Sequence, residues 1–306
     1  MKIAVIGAGA MGSLFGAMLA GDGHEVWLND VWPEHVDTIN RDGLQIEAEG
    51  RTRQAALRAT VDPRTIGTAD LVIVFVKSSH TAAVAPIARS LIGSDGAVVT
   101  LQNGMGNAEG LAADVPAERI LAGTTAHGAT LLGAGRIRHA GRGPTTIGPW
   151  VEGKKGLALA RQTAQIFNGA GIETSAVGSV RPIIWNKLLI NIGINAITAL
   201  TAIKNGQLLD HAATRQLSRA AVEEAMAVAR AQDIPISANI VETVFQVARA
   251  TAANRSSMGQ DVDNRRSTEI SAINGFIVDE ARRLGLPAPV NQTLTALVQT
   301  MEHHFA

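Results

Sequence analysis

At 306 residues the chain is long for one hydrophobic core and points to two domains. Lysine plus arginine and aspartate plus glutamate balance at 27 each, and apolar residues make up 46%, which describes an ordinary globular protein and gives no charge excess for nucleic acid or a membrane surface. Cysteine and tyrosine are absent, which excludes disulfides, thiolate nucleophiles, cysteine metal ligands and a tyrosine acid, and leaves proton transfer to lysine, histidine or a carboxylate. No run approaches the roughly 18 apolar residues of a membrane span, and the N-terminus lacks a basic start with a cleavage site, so the expectation is a cytoplasmic protein without a membrane partner.

Residues 2–7 (KIAVIG) read as a short apolar strand. It runs directly into Gly7-Ala8-Gly9-Ala10-Met11-Gly12 and an apolar helix to about Gly21. Strand, G-x-G-x-x-G and helix in that order are what a dinucleotide requires: Gly7 for the tight turn, Gly9 for close approach of the pyrophosphate, Gly12 for helix–strand packing. A second strand at 25–28 follows, with Asp30 lying 18 residues after Gly12. There a carboxylate bonds ribose hydroxyls and repels a 2′-phosphate; no arginine or lysine follows until Arg41, which favours NAD over NADP. Asn29 is an alternative ribose contact, and a helix N-cap ahead of Pro33 is the purely structural reading of Asp30.

The apolar run 70–76 has the pattern of a buried parallel strand and ends on Lys77. Ligands of open α/β sheets bind outside the carboxyl ends of strands, so Lys77 is either a ligand contact or a solvated lysine at a strand end. Residues 97–101 repeat the pattern and lead into Gln102-Asn103-Gly104-Met105-Gly106-Asn107, where Asn103 is the first polar side chain suited to the nicotinamide. Residues 123–149, rich in glycine and threonine, read as antiparallel strands extending the sheet; His127 and His139 lie among them without an assigned role. A helix over 155–169 and a strand over 172–176 complete a first domain of residues 1–178, and helices alone make up a second of residues 179–306.

The stretch 181–206 opens that second domain as an apolar helix carrying Lys187, Asn191 and Asn195 at i, i+4, i+8, a polar row with each member about 6 Å beyond the last. Buried amides and an ammonium need partners. Two readings stand: a hydrogen-bond network between helices, or a small polar ligand. Asn205-Gly206 reads as a left-handed C-terminal cap, 254–261 as a polar loop, and 266–270 as the start of a helix running through Asn274-Gly275 to about Leu284.

Taken together, the N-terminal GAGAMG, VFVK, NGMGN at 103–107, GTTAHGAT at 123–130, RHAGRGPTTIG, WNKLLINIGIN at 185–195, IKNG at 203–206 and SSMGQD followed by TEISAING resemble the ketopantoate reductase (2-dehydropantoate 2-reductase) family over the whole chain. The resemblance implies a Rossmann-type doubly wound α/β domain followed by an all-helical substrate-binding domain. It also implies reduction of 2-dehydropantoate to pantoate by hydride transfer from NADP or NAD, in pantothenate and coenzyme A biosynthesis. By the same resemblance Lys187 is the proton donor, while Asn103, Asn191, Asn195, Asn205 and Ser257 hold the 2-oxo acid. Glu269 lies near Lys187 and the nicotinamide end, and Lys77 and the backbone at Ala129 line the cofactor with Gly7 to Gly12.

Two positions depart from the family pattern. Asn29-Asp30-Val31 stands where NADPH-using members commonly carry a basic residue, and Gly259 stands where a bulky residue is usual, which predicts a looser loop. The competing readings are a reductase of another branched 2-oxo acid and a non-catalytic nicotinamide-binding redox sensor. No metal is expected, and a homodimer is compatible with the apolar helical domain.

Overall fold

The computed structural model describes residues 1–305. They form two compact units, residues 1–102 with 107–180, and residues 103–106 with those from 181 onward. The helices from Arg181 onward make up the second unit, and the segment Asn103–Gly106 groups with them.

In the first unit β1 (Lys2–Ile6), α1 (Ala10–Gly21), β2 (Glu25–Asn29), α2 (Pro33–Asp42), β3 (Leu44–Ala48), β4 (Arg51–Ala55) and β5 (Arg58–Thr60) come first. They are followed by β6 (Ala69–Val74), α3 (Thr81–Leu91), β7 (Ile92–Thr100), α4 (Asn107–Ala112), β8 (Ile120–Thr125), β9 (Gly128–Gly133), β10 (Arg136–Gly141), β11 (Thr145–Pro149), α5 (Lys154–Gly169) and β12 (Thr174–Ala176). Eight strands make one sheet in the order β12-β11-β8-β7-β6-β1-β2-β5. From β8 to β5 all neighbours are parallel; β11 is antiparallel to β8. The order reverses between β1 and β6, so the switch point where open α/β sheets bind ligands lies at the ends of these two strands, at Gly7 and at Phe75 to Lys77.

The segment 123–149 corrects the expectation of simple antiparallel extension. β11 does extend the main sheet, but β9 and β10 leave it for a second sheet of order β4-β3-β10-β9, in which β10 runs parallel to β3. Strand β3 alternates apolar and polar residues, whereas β4 is exposed along most of its length and has no apolar alternation to mark it as a strand. The second sheet packs on α1. This accounts for the composition of α1: Leu14, Phe15, Ala17 and Leu19 are all buried, so the helix carries no polar face.

The second unit contains α6 (Arg181–Thr201), α7 (Ala212–Ala231), α8 (Ile240–Ala250), α9 (Ser257–Asp263), α10 (Asn274–Leu284) and α11 (Pro289–Glu302). α6 is more apolar than the sequence reading allowed: its length and mean hydropathy of 1.4 suit a membrane span. It is instead the core of the unit, packed by α7, α8, α9 and α11, with Trp185, Leu188, Leu189, Ile192 and Ile197 buried. Gly193 is required by this crowding, because a Cβ there would lie 2.6 Å from Val244 and 2.9 Å from Val222.

Three sequence expectations change here. α6 stops at Thr201, where Ala202 adopts φ 56°, and Asn205 is right-handed rather than a left-handed cap. The polar loop 254–261 becomes α9, N-capped by Ser256. The helix expected from 266 is a 3₁₀ turn, Ile270–Ala272, separated from α10 by Ile273.

Candidate active site

In the first unit the glycine loop has one open position. A Cβ on Gly7 (φ +93°) would lie 2.8 Å from the Val76 nitrogen, and one on Gly12 would lie 1.9 Å from the Gly7 carbonyl oxygen. The fold itself therefore demands both glycines. At Gly9 a Cβ would meet nothing within 4 Å, so nothing in the chain requires glycine there; the space beside it is what an approaching pyrophosphate needs. α1 starts at Ala10 with no side-chain cap and no acidic residue in its first turn, leaving its N-terminal amides and dipole to an anion. These residues fit a dinucleotide.

Asp30 follows β2 and uses part of its carboxylate internally, accepting from the Ala8 N–H at 2.7 Å and the Trp32 N–H at 3.0 Å. A carboxylate has about four acceptor sites, so capacity for a ribose remains. The N-cap of α2 is Trp32, not Asp30. Asn29 is buried and donates through Nδ2 to the Thr60 carbonyl. Lys77 is half-buried just past β6, and Ala129 lies in β9 opposite His139. His127 and His139 share a hydrogen bond of 3.1 Å with each other.

In the second unit Asn103 donates to the Glu269 carboxylate at 3.1 Å. The backbone brings them together: the Met105 N–H bonds the Ala272 carbonyl at 2.9 Å, and Gly104, at φ +78°, lies so close that a Cβ would sit 2.7 Å from Ala272. The same Glu269 carboxylate acts on Lys187. Dense protein around the ammonium pushes its pKa from 10.5 to about 8, and Glu269 opposes the fall. Asn103, Lys187 and Glu269 thus form one electrostatic group, although they lie far apart in sequence.

Along α6, Asn195 is buried and Asn191 half-buried, and neither side chain makes a hydrogen bond within the described residues. A purely structural network would have paired these amides. At the far end of the helix Thr198 donates to Ser256, the cap of α9, at 2.8 Å. Asn205 donates through Nδ2 to Thr251 at 2.9 Å while its Oδ1 is buried without a partner; its N–H bonds the Asn254 carbonyl. The segments carrying Asn205 and Ser257 therefore adjoin, and Ser257 itself is exposed at the start of α9.

Gly259 does not loosen the loop as expected. It is buried and its N–H bonds Ser256, and a Cβ would lie 2.6 Å from the Arg255 guanidinium. That guanidinium occupies the vacant volume, donates to the Thr198 carbonyl in the last turn of α6 and to the Ile203 carbonyl just past it, and pairs with Asp263 at 2.9 Å. Thr198, Thr251 and Arg255 are the supporting residues that sequence reasoning missed. Only the glycine at 259 hinted at Arg255.

A parallel sheet with an open glycine loop at its switch point, and a helical unit whose central helix carries a desolvated lysine beside a carboxylate, define the class as a two-domain nicotinamide-dependent oxidoreductase. Family profiles described as "Ketopantoate reductase PanE/ApbA" and "Ketopantoate reductase PanE/ApbA C terminal" match residues 3–152 and 179–302. The chain belongs to the ketopantoate reductase family.

It is 41% identical over 302 residues to a 2-dehydropantoate 2-reductase of Halobacterium salinarum, covering 98% of each chain. Among solved structures it resembles a PanE/ApbA family ketopantoate reductase from Ralstonia eutropha, with a TM-score of 0.91 and 33% identity over 100% of this chain and 99% of that one. It also resembles D-mandelate dehydrogenase in its ternary structure with NADH and anilino(oxo)acetate, with a TM-score of 0.92 and 30% identity over the same shares.

Proposed function

We propose that this protein reduces 2-dehydropantoate to pantoate in pantothenate and coenzyme A biosynthesis, with Lys187 as the proton donor. The observation that carries the chemistry is the Lys187 ammonium, desolvated and drawn down to about 8 yet opposed by Glu269. A bound nicotinamide supplies the hydride that goes to C2 of the oxo acid. As negative charge grows on the former carbonyl oxygen, the nearby ammonium stabilises it and gives up its proton, and a depressed pKa makes that transfer easier. Glu269 keeps the lysine charged between turnovers, and Asn103 holds Glu269 in position. Asn191, Asn195, Asn205 and Ser257 are assigned to the carboxylate and hydroxyl groups of the substrate. Each amide offers donors and an acceptor without competing for the proton.

NADH is the proposed reductant. Asp30 puts a carboxylate just past β2, no lysine or arginine occurs from Ile3 to Asn40, and Arg64, past the end of β5, is held by Asp62 at 2.9 Å. Gly7 to Gly12, Asp30, Lys77, Asn103, Ala129 and Glu269 are assigned to its binding. A cytoplasmic homodimer completes the reading.

A second reading is favoured by the likeness to D-mandelate dehydrogenase: reduction of a different 2-oxo acid with the same machinery. Initial rates with 2-dehydropantoate and with 2-oxo-2-phenylacetate, each against NADH and NADPH, separate the two. The main reading requires kcat/KM to be highest for 2-dehydropantoate with NADH. A preference for the phenyl acid would replace it, and absence of turnover with any 2-oxo acid would leave a redox sensor.

A further inference from the structure

Asp30, just after β2, and His35, in the first turn of α2, grip one residue of the glycine loop by both of its backbone groups. The Ala8 N–H donates to Asp30. The Ala8 carbonyl accepts from two side chains, Ser13 Oγ at 2.7 Å and His35 Nε2 at 2.9 Å. His35 is 1% exposed, and its Nδ1 accepts the Gly135 N–H at 2.9 Å. An N–H aimed at Nδ1 fixes the ring as the neutral tautomer with its proton on Nε2, the form that donates to Ala8. Trp32 lies stacked on the imidazole, with ring centroids 5.2 Å apart and planes 8° from parallel, so the ring cannot turn away freely.

The consequence runs through peptide geometry. The Ala8 carbonyl and the Gly9 N–H belong to one planar trans peptide and point in opposite directions. Holding the carbonyl inward on Ser13 and His35 turns the Gly9 N–H outward. That N–H makes no hydrogen bond within the described residues, and it adjoins the one open position of the loop, where a Cβ on Gly9 would touch nothing.

We propose that His35 is a positioning residue for the cofactor: as a neutral Nε2–H donor, locked by Gly135 and Trp32, it orients the Ala8–Gly9 peptide so that the Gly9 N–H is presented to a pyrophosphate oxygen. A helix histidine buried under a glycine loop is otherwise only a packing residue, and the two roles separate experimentally. The inference rests on a nicotinamide dinucleotide occupying this loop. If wild-type protein bound neither NADH nor NADPH, that underlying reading would fail independently of His35.

Two amide substitutions each keep half of the imidazole's bonding. In His35→Gln the side-chain amide reaches as far as Nε2 and still donates to Ala8, while the Gly135 N–H loses its acceptor. His35→Asn places an acceptor near Nδ1 for Gly135 and loses the donor to Ala8. The experiment is calorimetric titration of each protein with NADH, together with thermal melting of the free protein and kcat at saturating NADH. The expected result is a Kd within about threefold of wild type for His35→Gln despite a lower Tm, and a Kd raised at least about tenfold for His35→Asn with kcat at saturation retained, the pattern for lost ground-state positioning. Equal weakening by both variants, or an unchanged Kd for His35→Asn, overturns the proposal. Should His35→Asn fail to fold, Ser13→Ala removes the other donor to the same carbonyl: a several-fold rise in Kd supports the proposal and an unchanged Kd overturns it.

Discussion

Two opposing effects meet at the Lys187 ammonium. Desolvation dominates and Glu269 moderates it, leaving a pKa near 8 in place of 10.5. In the proposed mechanism the charged form is the donor, so reduction should be sustained below about pH 8 and fall as pH rises through that value. Glu269→Gln removes the moderating charge and should move the fall to lower pH; a pH–rate profile under saturating cofactor checks both. Folding stability has the opposite sign. Between the two pKa values the unfolded chain holds a proton the folded chain has released, so the lysine's destabilising contribution fades as pH rises toward its ordinary value. Lys187→Met should therefore cost about 10² to 10⁴ in kcat while the Tm is maintained or raised and NADH still binds. Near-normal turnover of that variant would exclude Lys187 as the donor.

At the scale of elements, α1 and α6 are both apolar helices in which glycine answers a specific neighbour. At the start of α1 and in the loop leading into it the demands differ from position to position. Gly12→Ala drives a Cβ against the Gly7 carbonyl at 1.9 Å and should lower the Tm sharply, because backbone must move. Gly9→Ala meets nothing in the protein and should leave the Tm unchanged while weakening NADH binding, since only the ligand needs that space. Melting curves with and without NADH distinguish the two. In α6, Gly193→Ala overpacks against Val222 and Val244 and should cost about 1–3 kcal/mol, read as a lower urea midpoint with an unchanged slope. Of the polar row on this helix, Asn195 is buried and Asn191 half-buried, and neither side chain bonds another helix among the described residues.

For the molecule as a whole, the cofactor should act as a stabiliser. A ligand bound only by the native state adds about 2.7 kcal/mol at one hundred times its Kd. NADH should raise the Tm accordingly, and NADPH at equal concentration should raise it less, because Asp30 repels a 2′-phosphate. An equal shift from both would remove Asp30 as the discriminator. The two units answer to different physics: one is a sheet whose strand ends provide a ligand mouth, the other a helical bundle built around a single buried helix.

What the sequence determined by itself was whatever local spacing encodes. The strand, glycine loop and helix from Lys2 to Gly21, the acid at Asp30, the run ending at Lys77 and the i, i+4, i+8 row on α6 are all short-range patterns; the row lies within α6, Asp30 directly follows β2, and the strand before Lys77 stops at Val74. The helical character of the second half was legible for the same reason. Tertiary structure alone decided the rest, because its partners are distant in sequence. Strand β4 has no apolar alternation and exists only through pairing with β3, and β10 joins β3 across some ninety residues. Asn103 leaves the sheet unit to meet Glu269, 166 residues away. Gly259 looks like a loosened loop until Arg255 is seen in its space, and His35 looks like an ordinary helix residue until the Ala8 carbonyl and the Gly135 amide converge on its ring. Periodicity along the chain tells which face of an element is apolar; which polar atom meets which is fixed only when the elements pack.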